Sequence, residues 1–169
     1  YRRFHYFLMG KNESPIKKIG DKEIILIHIN KTAGTSVGRA LGLKEKQHLT
    51  VQEVRNRVGV KKWDMSYKIA FVRNPWDRVC SSYRYRVRTL KGTSAVSIDF
   101  KDWVIEVYKE RNPQYYDYPK MFMPQVDWLR DEFGNIDIDF IGKFENIKND
   151  FKEQAGRREH CQRNKNRKV

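Results

Sequence analysis

The hydrophobic positions of this chain fall into short runs, and each run predicts one element of secondary structure. Residues 24–29 are aliphatic except for His28, and residues 67–73 contain a second apolar run; both are typical of buried strands in a parallel sheet. Residues 136–141 alternate between apolar and acidic side chains, which predicts a third strand nearer to an edge. The order strand, loop, helix, strand predicts an α/β fold with three layers and a mainly parallel central sheet.

Capping signals and apolar spacing predict helices between these strands. Thr50 and Glu53 form a capping box, so a helix is expected over 50–58, ending near Gly59. Pro75 suits the first turn of a helix and predicts one that runs to about residue 90. The other predicted segments are a helix over 36–43, a helix capped by Asp99 up to 110, an irregular loop at 112–124, a short helix or turn at 126–133 and a final helix over 146–154.

Composition limits the kind of protein that this sequence can form. The chain has 169 residues with 39% hydrophobic side chains, which suits one domain with its own core and argues against disorder. We expect a basic arm over residues 1–22, a domain over 23–156 and a basic tail over 157–169. Two cysteines, Cys80 and Cys161, are too few for a disulfide framework or a zinc site. No apolar run reaches the roughly 20 residues of a membrane-spanning helix.

Charge indicates the chemistry of the partner. The chain carries 35 Lys and Arg against 21 Asp and Glu, a formal net charge of +14 at pH 7. Such a surplus favours an anionic partner. Nucleic acid, a membrane surface, a nucleotide and an acidic sugar all fit this signal, so local motifs are needed to distinguish them.

The loop at residues 30–36 combines small, hydroxyl and basic side chains between a buried strand and a helix. Backbone N–H groups at a helix start lack partners and attract oxyanions. Gly34 permits a close approach of the backbone, and Lys31 adds a point charge. Further hydroxyl donors come from Thr32, Thr35 and Ser36. The order differs from the G-x-x-x-x-G-K-[ST] loop of nucleotide hydrolases, and a plain strand–turn–helix with a polar turn is the alternative interpretation.

A second motif with the same order of elements covers Phe71–Tyr83. Arg73 lies where the second strand should end, which is where open parallel sheets bind ligands. Ser81 follows one to two turns into the next helix, so the two side chains can hold a second phosphate. Helical spacing places four polar residues on one face, Asp77, Ser81, Arg84 and Arg88. The alternative is a solvated charged face with a surface pair between Asp77 and Arg78.

Together these motifs resemble those of the 3′-phosphoadenylyl-sulfate (PAPS)-dependent sulfotransferases, nearest to the carbohydrate and heparan-type branch. The first loop is similar to the family's P-K-T-x-G-T-S, with Asn30 in place of Pro, and the second motif to F-V-R-N-P-x-D-R-x-x-S-x-Y. A third stretch at residues 140–147 resembles F-I-G-R-F-E-N-L. The resemblance covers residues 24–153 and keeps the three motifs in the family's order.

The resemblance implies a P-loop NTPase-like sulfotransferase architecture and transfer of a sulfuryl group from PAPS to a hydroxyl or amine, with PAP as the product and no metal. Lys31 would stabilise the leaving-group oxygen. Arg73 and Ser81 would hold the 3′-phosphate of the nucleotide. The 5′-phosphate would be bound by the loop residues Lys31, Thr32, Ala33, Gly34, Thr35 and Ser36.

His48 is the candidate general base. The resemblance places a basic His after the phosphosulfate loop, and a neutral imidazole suits proton abstraction near neutral pH. His28 lies within the first predicted strand and is interpreted as a core residue. Glu145 and Asp77 are the alternative bases, although a structural role is favoured for Glu145.

The acceptor is expected to be a carbohydrate, because the family branch and the basic helix face both favour it, and the basic face would suit an acidic one. Gln125, Trp128 and the aromatic loop at 115–118 could line the acceptor cleft, although core packing is the favoured interpretation of the aromatic side chains. A P-loop kinase or NTPase and a basic nucleic-acid-binding module are the competing functions. A microbial protein of this type would be cytoplasmic, and a eukaryotic one with an N-terminal anchor would lie in the Golgi lumen.

Overall fold

The computed structural model describes residues 16–19, 22–43, 47–89, 98–116 and 118–152. A sheet of four strands lies at its centre, in the order β1-β2-β3-β4. Its strands are β1 (Ile16–Ile19), β2 (Lys22–Ile27), β3 (Tyr67–Val72) and β4 (Phe140–Lys143). The strands β2, β3 and β4 run parallel, and β1 pairs with β2 in the antiparallel sense. The prediction of an α/β fold with a mainly parallel sheet is therefore confirmed.

Helices and helical turns connect the strands. They are α1 (Gly34–Ala40), α2 (Val51–Val58), α3 (Val60–Met65), α4 (Pro75–Thr89), α5 (Phe100–Val104), a π-helical turn (Ile105–Lys109), a 3₁₀ turn (Pro119–Phe122), α6 (Gln125–Leu129) and a 3₁₀ turn (Phe144–Asn146). Residues 147–152 are also helical. The capping box before α2 is confirmed, because Glu53 N–H donates to Thr50 Oγ1 at 3.3 Å and Thr50 N–H donates to Glu53 Oε2 at 2.7 Å.

Alternate side chains of β2 enter different clusters on the two faces of the sheet, as the period of a strand requires. Ile25 and Ile27 pack with α2, α3 and α6, through a cluster that includes Val51, Trp63 and Trp128. Ile24 and Leu26 pack with α1 and β3, in a cluster with Val37, Leu41, Ile69 and Phe71. Helices therefore cover both faces of the sheet and form the predicted three layers.

The third predicted strand is wrong in its bounds. Residues 136–139 lie before β4, and Ile136 makes only an isolated bridge to Arg130. Their acidic side chains are used by distant partners: Trp63 Nε1 donates to Asp137 at 2.7 Å, and Lys68 N–H donates to Asp139 at 2.7 Å. The acidic positions of the alternating sequence are therefore hydrogen-bond acceptors that connect this segment to α3 and β3.

The edge strand β1 lies within the range predicted as a basic arm. Ile16 pairs with Ile25 and Ile19 pairs with Lys22, so the two β strands form a short hairpin. Its pattern, apolar only at both ends of four residues, is too short to predict a strand. Residues 1–15 and the predicted tail at 157–169 lie outside the described residues. Within the described ranges, no helix is long and apolar enough to cross a membrane.

Candidate functional site

The loop between β2 and α1 contains two non-glycine residues in the left-handed region. Lys31 has φ 65° and Ala33 has φ 66°. Ala33 is also the N-cap of α1. Its methyl side chain cannot accept a hydrogen bond, so it does not cap the N–H groups of the first turn of α1. The helix begins two residues earlier than predicted, at Gly34.

Two loop residues have structural roles in this conformation. A Cβ on Gly34 would overlap the imidazole of His28, so the absence of a side chain is required by packing. The Thr32 hydroxyl is buried and donates to the Ile29 carbonyl at 3.0 Å. The expectation that this hydroxyl is offered to a ligand is therefore not met. Thr35 and Ser36 are exposed, as a ligand-binding role requires.

Lys31 lies among other cations at the carboxyl ends of the strands. Its ammonium is 4.2 Å from the centroid of the Tyr85 ring on α4. Burial lowers the pKa of Lys31, and the nearby charges of Arg88 and Arg73 lower it further. Arg73 Nη1 also reaches the Lys31 carbonyl at 3.5 Å. The structure thus brings the predicted site residues Lys31 and Arg73 together.

Arg73 is held from both sides just beyond the end of β3. The Gln125 side chain accepts from Arg73 N–H at 2.9 Å and donates to the Arg73 carbonyl at 2.7 Å. The guanidinium lies 4.1 Å from the centroid of the Phe144 ring, in the third motif. Its Nε is buried and has no hydrogen-bond partner within the described residues. Gln125, a candidate for the acceptor cleft, instead positions the backbone of Arg73.

The start of α4 is fastened to the third motif. Asn74 N–H donates to Glu145 Oε1 at 2.6 Å, and Asn74 Oδ1 accepts from Trp76 N–H at 3.0 Å. The bond from Asn74 lowers the pKa of Glu145, so this carboxylate is a weak base with a structural role. Ser81 is half-buried on α4, and its hydroxyl makes no hydrogen bond in the described part of the chain.

Arg78 does not form the surface pair with Asp77 that was the alternative interpretation. Its side chain is buried and donates to backbone carbonyls and to Asn30. A basic residue at this place on an amphipathic helix looks like a solvated position from the sequence alone. Only its distant partners, more than 40 positions away, identify it as part of the interior.

His48 lies beside the loop with a defined tautomer. Its Nδ1 is 3.0 Å from the His28 carbonyl. Because a carbonyl can only accept, Nδ1 carries the hydrogen and Nε2 keeps its lone pair. Burial lowers the pKa of His48, the bond to His28 opposes this, and the charges of Lys120, Lys31 and Arg78 lower it again. His48 is therefore neutral near pH 7 and has the form that a general base needs.

The remaining candidates pack into the interior. Trp128 is fully buried in the core, so the favoured interpretation of core packing is confirmed for this residue. Tyr115 and Tyr116 pack against the cluster of Trp103, Val107 and Phe122, whereas Asp117 lies outside the described residues. Cys80 is half-buried. Within the described ranges, no group of three or more His, Cys, Asp or Glu side chains could hold a metal ion.

The mainly parallel sheet with helices on both faces defines an α/β protein, and such proteins bind their ligands at the carboxyl ends of the strands, where Lys31 and Arg73 lie here. The sequence matches the model of the sulfotransferase family over residues 16–160, and the chain belongs to that family. It is 35% identical over 100 residues to an uncharacterized protein of Archaeoglobus fulgidus, an alignment that covers 57% of this chain and 71% of that protein. No solved structure matches the chain. Family membership supports a transferase of sulfuryl groups.

Proposed function

We propose that this protein transfers the sulfuryl group of PAPS to a hydroxyl or amine of an acceptor and releases PAP. The observation that carries the proposal is the convergence of Lys31, Arg73 and a neutral His48 around one loop at the carboxyl ends of β2 and β3. Membership of the sulfotransferase family supports this reaction over other uses of an anion-binding loop.

The residues present suit a nucleotide with two anionic ends. Arg73 keeps a buried Nε without a partner in the described residues, and this donor suits the 3′-phosphate together with the Ser81 hydroxyl. The 5′-phosphosulfate would lie on loop residues 31–36, where Thr32 and Ala33 contribute through the backbone and Thr35 and Ser36 through exposed hydroxyls. A 3′-phosphate site separates PAPS from ATP.

The reaction would proceed by in-line displacement at sulfur. The acceptor oxygen forms a bond to sulfur while the bond from sulfur to the bridging phosphate oxygen breaks. The acceptor proton passes to Nε2 of His48, whose Nδ1 hydrogen is held by the His28 carbonyl. The electron pair of the broken bond stays on PAP, where the Lys31 ammonium stabilises the new charge.

The acceptor is proposed to be a carbohydrate, with acidic carbohydrates favoured. The charges of Arg88 and Arg73 reach Lys31, and the charges of Lys120 and Arg78 reach His48. A field of one sign around the base attracts an anionic acceptor and raises its local concentration.

Calorimetric titration with PAP tests the donor site. We expect PAP to bind without Mg²⁺ and more tightly than ATP, because the 3′-phosphate distinguishes the two. Arg73→Ala should weaken PAP by about 10- to 100-fold, the usual cost of a lost charged hydrogen bond. Arg130→Ala is the matched control, since the Arg130 side chain is exposed and its ion pair in the described residues is with the nearby Asp127. Absence of PAP binding at millimolar concentration, or a preference for Mg²⁺-ATP, would contradict the proposal.

A further inference from the structure

We infer that Arg78 and Asn30 form a buried positioning pair that holds the nucleotide loop in its binding conformation and aligns it with the segment at residues 119–123. The inference rests on the proposed function, because it concerns the loop assigned to PAPS. Neither residue is assigned a contact with the nucleotide. Their role is to fix the backbone that carries Lys31.

Arg78 uses all three nitrogens of its guanidinium to join α4 to two other segments. Nε donates to the Asn30 carbonyl at 3.1 Å, and Nη2 donates to Asn30 Oδ1. Nη1 donates to the Met123 carbonyl at 3.0 Å, and Nη2 donates also to the Met121 carbonyl at 3.1 Å. A planar fork of this kind holds its acceptors in one relative geometry, which a lysine cannot do.

Asn30 completes the connection from the loop side. It is buried, and its Nδ2 donates to the Met121 carbonyl at 2.9 Å. The Met121 carbonyl thus receives hydrogen bonds from both members of the pair. A proline at this position, as in the resembled motif, would stiffen the chain but could supply neither of these side-chain bonds. Here the amide side chain and the guanidinium together restrain the start of the loop.

The loop needs such a restraint because its backbone is strained. Lys31 and Ala33 both have positive φ, a backbone conformation that non-glycine residues seldom adopt. Strained residues keep their conformation only where the surrounding structure determines it strongly. Asn30 directly precedes Lys31, and its carbonyl and side chain are both bound by Arg78. The hydrogen bonds between Arg78 and Asn30 therefore hold the backbone that leads into the strained residue Lys31.

The same pair also positions cationic groups near the base. The segment that Arg78 holds carries Lys120, whose ammonium lies 5.3 Å from the centroid of the Trp128 ring and also contacts Glu53. The His48 ring lies at the edge of the same indole, with its centroid at 6.3 Å. The contacts assigned to the Arg78 side chain are all to neutral oxygens, so its buried charge has no carboxylate partner there. An unpaired buried charge is costly to stability, which favours a functional reason for keeping it.

Hydrogen exchange and PAP titration of the variants Asn30→Ala, Arg78→Lys and the double variant test the inference, with Arg130→Lys as the control. We expect faster exchange confined to residues 30–36 and 119–123 in both single variants, and a loss of PAP affinity of about tenfold in each, the usual cost of one lost hydrogen bond to a charged group. The double variant should lose about as much as one single variant, because both substitutions remove the same interaction.

The outcomes separate this inference from the proposed function. Fully additive losses, or loop exchange in Asn30→Ala within about twofold of the wild type, would overturn the positioning pair. If wild-type protein fails to bind PAP while Asn30→Ala still accelerates loop exchange, the proposed function fails and the pair stands. Should Arg78→Lys not fold, as judged by cooperative urea unfolding, Asn30→Ala decides alone. A merely structural role would lower the free energy of unfolding and leave the PAP affinity of the folded variant unchanged.

Discussion

The imidazoles of His28 and His48 lie with their ring centroids 4.3 Å apart, and each depends on the other. The His28 carbonyl fixes the tautomer of His48, and the His28 ring fills the space that a side chain at residue 34 would occupy. Burial, and to a lesser extent His48, lowers the pKa of His28 to about 3. The tautomer and surroundings of the candidate base are therefore set by a neighbouring histidine to which the proposed mechanism gives no proton.

His28 should make the stability of the protein depend on pH. The unfolded chain takes up a proton at His28 near its ordinary value of 6.5, whereas the folded chain does so only near 3. Its contribution to stability is therefore fully present above pH 6.5 and is lost as the pH falls towards 3, with a slope of up to about 1.4 kcal/mol per pH unit. His28→Phe should decrease this slope, as measured by urea unfolding at pH 7, 5.5 and 4.

Carboxylates also contribute to acid unfolding, so the comparison of wild type with His28→Phe isolates the histidine. The difference between the two proteins should be constant above pH 7 and should change below it. Parallel pH profiles from 7 to 4 would show that His28 is protonated in the folded state and that its pKa is not depressed.

The loop from β2 to α1 is the element on which the proposed donor site depends. Its geometry depends on Gly34 against His28, on the two left-handed residues, and on the hydrogen bonds that hold Asn30. All of these contacts are made within the chain. Under the proposed function they would preorganise the loop for a nucleotide and lower the cost of binding.

Gly34→Ala should disrupt this element, because the new Cβ would overlap the His28 ring. Overpacking of this kind costs about 1–3 kcal/mol, and we expect a loss of that size in the free energy of unfolding together with weaker PAP binding. Gly38→Ala is the matched control on the same helix, since its nearest neighbour would be Leu26 Cδ2 at an ordinary 3.5 Å. That control should be neutral or stabilise the protein by up to about 1 kcal/mol.

Urea unfolding of the two glycine variants measures the difference. Equal stability of Gly34→Ala and Gly38→Ala would contradict the packing of His28 against the loop. The double variant His28→Ala, Gly34→Ala offers a second check, because removing the ring should restore room for the new methyl group.

At the scale of the molecule, the basic residues behind the net charge of +14 have different locations and different roles. Lys31 and Arg73 lie at the candidate site, and Arg78 lies beneath it. Lys68 is buried and neutralised by Asp137 at 3.3 Å and Asp139 at 3.7 Å, so it adds nothing to an anion site. The segment 157–169 contributes six Lys or Arg against one Glu.

Deletion of residues 157–169 should separate nonspecific polyanion binding from nucleotide binding. The truncated chain should keep its PAP affinity within about twofold, since every residue assigned to the nucleotide lies between positions 31 and 81 of the sequence. Its affinity for DNA should fall, and the dependence of that affinity on salt should become less steep, because fewer phosphate contacts release fewer counterions. Arg73→Ala in the full chain is the converse control, because this variant should bind PAP more weakly and keep its affinity for DNA.

Fluorescence anisotropy with labelled DNA at several salt concentrations and calorimetry with PAP provide the two measurements. If the truncated chain retained full DNA affinity and lost PAP, the tail would belong to the nucleotide site, and the assignment of the loop as the main anion site would be wrong.

Local order in this protein could be predicted from the sequence because it depends on near neighbours. The buried strands β2 and β3 follow from apolar runs, and the start of α2 follows from Thr50 and Glu53, three residues apart. The loop after β2 and Arg73 after β3 could be placed at the same edge, because parallel strands bring their carboxyl ends together.

The sequence by itself therefore determined the parallel α/β fold and the candidate residues Lys31, Arg73 and His48. Only the tertiary structure decided how they are held, because the partners are far apart along the chain: Gln125 is 52 positions from Arg73, Glu145 is 71 from Asn74, and Arg78 is 48 from Asn30. Periodicity and capping act over a few residues and contain no information on such pairs. The burial of Arg78 follows from such a long-range bond, and the late start of β4 follows from the bonds that Asp137 and Asp139 accept from Trp63 and Lys68. These bonds form only when the layers pack.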